Sequence, residues 1–297
     1  MKCRYVGDSC CEFPAEFLEN HDCMRIPLTI WVGEEEFIDD ESFDQALFLK
    51  KAAAYPKWPR SACPSPEQFM EAFKGDWDII FVSTLSADLS GSFNSAVLAK
   101  SLFESSRAAR PDTNKDYGET PFGEKKAPLI HVFNSRSASC GEAQVLMKAA
   151  SLIESGHSFE DTVRLTEDFL YNDLKTYFVL QDMEALRKNG RLTRMQALAA
   201  TALNIKPVCF GNRGIIEQAA LARGTKKALE KMVDISLKEV NDTSDRILFI
   251  SHCNCHERAE AVREIYLKKA SFLKSLIIDQ AGISSLYASD GGIIATF

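Results

Sequence analysis

Three short apolar runs in the first half of the chain each stop at a serine-bearing loop and then give way to a helix. Residues 2–7 end at Asp8-Ser9, residues 79–82 at Ser83-Thr84, and residues 129–133 at Asn134-Ser135. The middle unit carries Leu89-Ser90-Gly91-Ser92 just ahead of its helix. Strand–loop–helix units in this alternation predict a parallel sheet with helices on both faces. In such a sheet ligands gather beyond the carboxyl ends of the strands. Helix starts there offer unpaired N–H groups and a positive dipole end to an anion. The three loops are therefore the expected site of a negatively charged or strongly polar head group.

The first half carries further signals. Residues 24–32 read as one more strand, 33–44 as an acidic surface turn and 42–54 as a helix. Pro56, Pro59, Pro64 and Pro66 then punctuate an irregular segment, with Ser65 as N-cap and Pro66 in the first turn of a short helix. The polar stretch 105–127 reads as an inserted surface loop.

The pattern changes at Gly156-His157-Ser158. Six strand candidates follow at 176–180, 206–211, 215–222, 246–251, 275–279 and 292–297, with Gly211-Asn212-Arg213-Gly214 as a tight hairpin. Helices are expected at 159–172, 182–189, 193–202, 225–241 and 257–271. A mixed sheet with helices on one face fits this half better than a second doubly wound unit. The expected division is an α/β domain over 1–157 and a second over 158–297.

Bulk properties narrow the function. A chain of 297 residues suggests about two domains, and 45% hydrophobic content allows each a core. The net charge of −7 and the lack of a long basic run disfavour nucleic acid as a partner, since phosphate neutralisation needs clustered Lys and Arg. No apolar stretch is long enough for a membrane span, and the start lacks the apolar core of a secretory signal. Nine cysteines without framework spacing point to a reducing cytoplasm. The run His252-Cys253-Asn254-Cys255-His256 is rich in soft ligands, but neighbours on a strand point to opposite faces. No second Cys or His pair completes a zinc site, so no metal is expected. Phosphate-loop, dinucleotide and His-Glu-x-x-His signatures are absent, and so is the Gly-x-Ser-x-Gly elbow. Ser90, His252 and Asp8 can be imagined as a triad, yet neither order nor spacing supports one. Neither a catalytic group nor a cofactor is expected.

Four constellations keep two readings each. Ser61, in Arg60-Ser61-Ala62-Cys63-Pro64-Ser65-Pro66, is either a hydroxyl donor or an ordinary turn serine. Ser90 and Gly91 belong to an anion cradle or to a simple helix cap. In Leu186-Arg187-Lys188-Asn189-Gly190-Arg191-Leu192-Thr193, Gly190 suits a C′ position with positive φ. Arg191 and its basic neighbours either face a ligand or complement the helix end. Lys206 faces ligand or solvent.

Taken in order, these stretches resemble the DegV family of bacterial lipid-binding proteins. The matching residues are Asp8-Ser9, Ser61-Ala62-Cys63-Pro64-Ser65, Leu89-Ser90-Gly91-Ser92-Phe93, Asn134-Ser135 with Gly141, Asn189-Gly190-Arg191-Leu192-Thr193, Leu203-Asn204-Ile205-Lys206-Pro207 and Arg223-Gly224-Thr225-Lys226-Lys227-Ala228. Cys63 stands where the family has Gln, Asn189 replaces the first Gly of a pair, and the His that precedes the family's Gly-Pro-Gly is missing before Asp290-Gly291-Gly292. The resemblance implies a Rossmann-like three-layer parallel-sheet domain plus a two-layer α/β domain with a mixed six-stranded sheet. It implies a long-chain fatty acid held between them, its carboxylate presented to a separate fatty acid kinase subunit. It places the carboxylate clamp on Ser61 and Ser90, lets His252 complete the polar end, and makes Asp8, Ser9, Gly91, Ser135 and Arg191 further ligand-facing positions. The competing expectation is an enzyme, a kinase or hydrolase, acting on a small polar substrate at the same loops.

Overall fold

The computed structural model describes residues 1–108, 127–192 and 204–297. Most of the expected loop over 105–127 and the expected helix over 193–202 lie outside the described residues. The chain opens with β1 (Cys3–Asp8), α1 (Ala15–Asn20), β2 (Asp22–Ile26), β3 (Thr29–Val32) and β4 (Glu35–Ile38). Helix α2 (Gln45–Ala54), β5 (Arg60–Ala62), α3 (Pro66–Ala72), β6 (Ile79–Thr84), α4 (Ser92–Ala108), β7 (Leu129–Asn134) and α5 (Cys140–Glu154) follow. Helix α6 (Phe159–Asp168) runs into a π-helical turn and then β8 (Thr176–Val179), α7 (Glu184–Lys188), β9 (Ile205–Asn212) and β10 (Ile215–Arg223). Helix α8 (Thr225–Lys238), β11 (Ile247–His252), α9 (His256–Lys269), β12 (Lys274–Asp279), α10 (Gly282–Ala288) and β13 (Ile293–Thr296) complete it.

The first large sheet has the order β2-β1-β6-β7, every pair parallel. Side chains alternate along each strand. Val6, Ile80, Val82 and Val132 pack against Phe69, Ala72, Ala96 and Ala99 of α3 and α4 and against Phe73 just after α3. Tyr5, Phe81 and Phe133 face Phe17 of α1 and Ala143, Leu146 and Ala149 of α5. This is the expected three-layer arrangement. Helix α6 joins the same core: Phe159 stacks on Phe81 with ring centroids 5.6 Å apart, and Val163 and Leu170 pack beside it. Packing of the first unit thus runs on past residue 157.

The second large sheet is mixed, with the order β10-β9-β8-β13-β11-β12. Only β11 and β12 run parallel; the remaining pairs are antiparallel. All six expected strands are present. At the β9–β10 turn Arg213 and Gly214 both have positive φ, 50° and 95°, as a two-residue type I′ hairpin requires. One face of the sheet, with Tyr177, Leu248 and Ile250, is covered by α8 and α9 through Met232, Val233, Val262 and Tyr266. The other face, with Phe178, Cys209, Phe249 and Ile294, turns toward the first unit. Helix α5 lies between the two sheets: the Gln144 amide donates to the carbonyls of Ile247 at 3.0 Å and Thr296 at 3.2 Å.

A third, three-stranded antiparallel sheet of order β4-β3-β5 corrects the expected single strand over 24–32 and the irregular segment after it. Pro27 has no N–H for a ladder and splits that strand in two. Gly33, at φ 68°, opens the two-residue turn from β3 to β4. Leu28, Ile30 and Val32 pack with Phe48 of α2 and with Ile283 and Leu286 of α10. Helix α3 begins as predicted: Ser65 Oγ accepts the Gln68 N–H at 3.4 Å, and the Gln68 side chain accepts the Ser65 N–H at 2.8 Å. No described helix is long and apolar enough to cross a membrane.

Candidate functional site

Between the two large sheets lies an apolar cavity whose space, mouth included, is about 750 Å³. Leu85, Phe178, Leu180, Ile216, Ile283 and Ile294 form much of its wall. The loops after β1, β6 and β7, the inward face of the mixed sheet and α10 all contribute, so the cavity lies where the carboxyl-end loops of the parallel sheet meet an apolar face of the mixed sheet.

At the rim, Ser61 sits on β5, paired with Ile30 of β3. Its Oγ lies 3.1 Å from the Tyr287 hydroxyl. The Arg191 guanidinium stands over the Tyr287 ring, 5.7 Å from its centroid, and its Nε donates to the Leu89 carbonyl at 3.2 Å. Gly190 precedes it with φ 76°, and the Arg191 N–H donates to the Leu186 carbonyl at 2.8 Å, the expected C-terminal cap of α7. Gly91 lies against Cys63: a Cβ at Gly91 would stand 2.9 Å from the Cys63 Sγ. The loops bearing Ser61 and Ser90 therefore touch at this contact. Leu89, Arg191 and Tyr287 all line the cavity.

Ser90 is half-buried, its Oγ 3.0 Å from that of Ser92 and accepting the Ser92 N–H at 3.2 Å. Behind it, the fully buried Asp8 carboxylate takes the N–H groups of Cys10 and Leu85, each at 3.0 Å, and the Ser92 hydroxyl. Burial raises its pKa to about 6 against the pull of those hydrogen bonds. Asp8 thus holds the Ser90 loop in shape from inside and does not face the cavity.

Three other predicted positions are also turned away from the ligand space. The Ser9 hydroxyl donates to Asp39 at 2.7 Å and accepts the Leu28 N–H at 3.0 Å, so it ties β1 to the small sheet. Ser135 Oγ accepts the Ser137 N–H at 3.1 Å and donates to the Ser137 carbonyl at 3.2 Å, a local turn staple. His252 does not reach the rim. It follows Leu248 and Ile250 at period two, so it shares their side of the sheet, under α8 and α9. Its Nδ1 accepts the Cys255 N–H at 3.3 Å, and its Nε2 faces His256 Nδ1 at 3.3 Å and Asp279 at 3.4 Å. Among the described residues no group of three or more His, Cys, Asp or Glu is placed to hold a metal ion.

The seam beside the cavity is acidic and buried. Asp39 accepts the first N–H groups of α10, from Gly282 at 2.6 Å and Ile283 at 2.9 Å. Glu12 accepts the Ala281 N–H at 3.0 Å and the Ser139 hydroxyl. Burial raises the Glu12 pKa to about 7. Glu142 is fully buried, and neither of its carboxyl oxygens has a hydrogen-bond partner among the described residues. Burial, with Asp8 nearby, holds its pKa well above the usual range.

Tyr287 and the whole of α10 went unread in the sequence. A Gly-Ile-Ser-Ser-Leu-Tyr-Ala stretch has weak helical composition, and its cap comes from Asp39, far upstream. The trace that was available is the apolar spacing of Ile283, Leu286 and Tyr287, at i, i+3 and i+4.

A model of the family described as "Uncharacterised protein, DegV family" matches residues 2–292. A DegV domain-containing protein of Streptococcus pneumoniae is 32% identical over 302 residues, covering 99% of this chain and 98% of the relative. A DegV family protein from Ruminococcus gnavus, refined with vaccenic acid, superposes with a TM-score of 0.89 at 41% identity over 99% of both chains. A DegV family protein from Eubacterium eligens loaded with heptadecanoic acid gives 0.85 at 26% identity over 99% of this chain and 98% of that one. The Fatty Acid Kinase (Fak) B3 protein of Streptococcus pneumoniae, loaded with linoleic acid, gives 0.80 at 29% identity over 100% of this chain and 99% of that one.

Proposed function

Because the chain belongs to the DegV family, we propose that it holds a long-chain fatty acid in the cavity between its two large sheets and presents the carboxylate to a separate fatty acid kinase subunit. The observation that carries this reading is the apolar cavity whose rim is set by Arg191, Tyr287 and the touching Ser61 and Ser90 loops. Neighbours with bound vaccenic, heptadecanoic and linoleic acids, the last a fatty acid kinase B protein, support it.

The energetics suit a lipid. Burying about fifteen methylenes contributes on the order of 12 kcal/mol before the losses of rigid-body and rotamer freedom. The carboxylate is not buried bare, since an unpaired charge in an apolar slot is heavily penalised. Ser61 and Ser90 offer hydroxyl donors at the rim, and Arg191 adds a positive charge there. With its head at the mouth, the acid leaves an oxygen open to a partner. The chain itself then acts as a carrier and not as an enzyme. Nine cysteines without the spacing of a disulfide framework support a reducing, cytoplasmic setting.

The test is native mass spectrometry and organic extraction of the purified chain, followed by fatty-acid titration of a Ser61→Ala/Ser90→Ala variant. A co-purifying acid is expected, with affinity at least about tenfold weaker in the variant. A folded variant with unchanged affinity would remove the head-group assignment. Turnover of a small polar substrate by the isolated chain would favour the enzyme reading instead.

A further inference from the structure

The apolar cavity shares Arg136, Thr176 and Gly211 with a second pocket of opposite character, walled mainly by polar groups. Arg136, Lys175 and Arg213 all line it. They come from three segments: the loop after β7, the residue before β8, and the tip of the β9–β10 hairpin. The Arg136 guanidinium lies 4.2 Å from the Tyr171 ring centroid, and it donates to the Tyr171 hydroxyl and, at 3.4 Å, to the Arg213 carbonyl. Lys175 Nζ donates to the Asn172 carbonyl at 3.2 Å. Among the described residues none of the three cations has a carboxylate within ion-pair distance, and Glu239 is the one acidic side chain lining the pocket. Tyr177 is 1% exposed and also lines it; its hydroxyl interacts with the Glu239 side chain but closes no hydrogen bond of ordinary geometry among the described residues. A buried hydroxyl so loosely held has room to donate to a better-placed acceptor.

We propose that this pocket binds a small phosphate-type oxyanion, with Arg136, Lys175 and Arg213 as its positive partners and Tyr177 as a hydroxyl donor. The hairpin tip otherwise meets the first unit through the Ser86 Oγ bond to the Gly214 carbonyl, at 2.8 Å, and the Arg136 contact. An anion there adds charge-assisted hydrogen bonds across the same seam. Since Ile215 and Ile216 of that hairpin wall the apolar cavity, the anion would hold the wall shut and slow exchange of whatever the cavity contains. The anion site itself does not depend on the lipid reading.

The test is titration of the full ¹⁵N-labelled chain with inorganic phosphate at constant ionic strength, chloride serving as control and glycerol 3-phosphate as a second arm. Saturable shifts of the amides over 211–214 are expected with phosphate and not with chloride. A Lys175→Gln/Arg213→Asn variant should weaken binding by roughly tenfold or more. Asn tolerates the positive φ at the tip; should the pair not fold, Arg213→Asn alone, at an exposed position, carries the comparison. Tighter binding of the ester than of phosphate identifies a phosphorylated metabolite, and the reverse identifies the free ion; both support the site. No saturable binding, equal binding by the variant, or shifts confined elsewhere would overturn it.

Discussion

The hydroxyl of Ser61, on the edge strand of the small sheet, lies 3.1 Å from that of Tyr287 on α10. A strand of three residues and a helix of seven, more than two hundred positions apart, thus meet at the cavity rim. If Ser61 donates to a carboxylate, Tyr287 is placed to donate to Ser61 and polarise it. Tyr287→Phe is expected to weaken fatty-acid binding by about fivefold, the equivalent of one neutral hydrogen bond of about 1 kcal/mol, with little change in unfolding midpoint. Equal or tighter binding in a lipid titration would show that Tyr287 only screens Ser61.

Asp39 fixes the start of α10 through two amides and takes the Ser9 hydroxyl as well. Asp39→Ala strands all three donors in a buried site and should lower stability by about 3 kcal/mol in urea unfolding. Asp39→Asn keeps one acceptor oxygen and should lose less. A loss under about 0.5 kcal/mol for the alanine variant would mean that water replaces the carboxylate there.

The buried acids set a pH dependence. Burial lifts the folded pKa of Asp8 to about 6 and of Glu12 to about 7, both above their ordinary values. The folded state therefore holds more protons than the unfolded one through mildly acidic pH. Their contribution is complete below the ordinary carboxylate range and is lost as pH rises through the two raised values, on the order of 3 kcal/mol for each. Unfolding free energy should accordingly fall between about pH 4 and about pH 7, and Glu12→Gln should flatten that fall. A rise in stability over the same interval would refute the assignment.

Gly214 docks the hairpin tip on the first unit. A Cβ there would stand 2.5 Å from Ser86 Oγ, at a φ of 95°. Gly214→Ala is expected to reduce stability by about 1–3 kcal/mol and to speed amide exchange along β9 and β10. Unaltered exchange in those strands would show that the tip is not what seats them.

Much of this was legible because it rests on local patterning. The parallel strands and the serine loops after them, the six later strands and the tight hairpin at 211–214 announce themselves in short windows. The small sheet does not. β4 is Glu-Glu-Phe-Ile, and β5 is three residues set among prolines; neither is long enough to show a period, and their pairing with β3 is a tertiary fact. Because β5 carries Ser61, the motif located a hydroxyl whose supporting strand could not be seen. Asp8, Ser9 and Ser135 show the converse. A loop's composition tells that polar groups are present, but which are spent on backbone amides depends on partners from other elements. His252 failed on phase alone, since one step along a strand separates the cavity side from the helix side.

The first two turns of helix α5, residues 140–146, have no solvent face: one side packs under the parallel sheet, while Gln144 and Cys140 engage the mixed one. A shell riveted through its middle cannot swing apart like a clam without tearing out that rivet. Whatever enters or leaves the interior must therefore slip past the margin, by local breathing of α10, the hairpin or the serine loops, and turnover of cargo will follow the looseness of those edges far more than the strength of the whole.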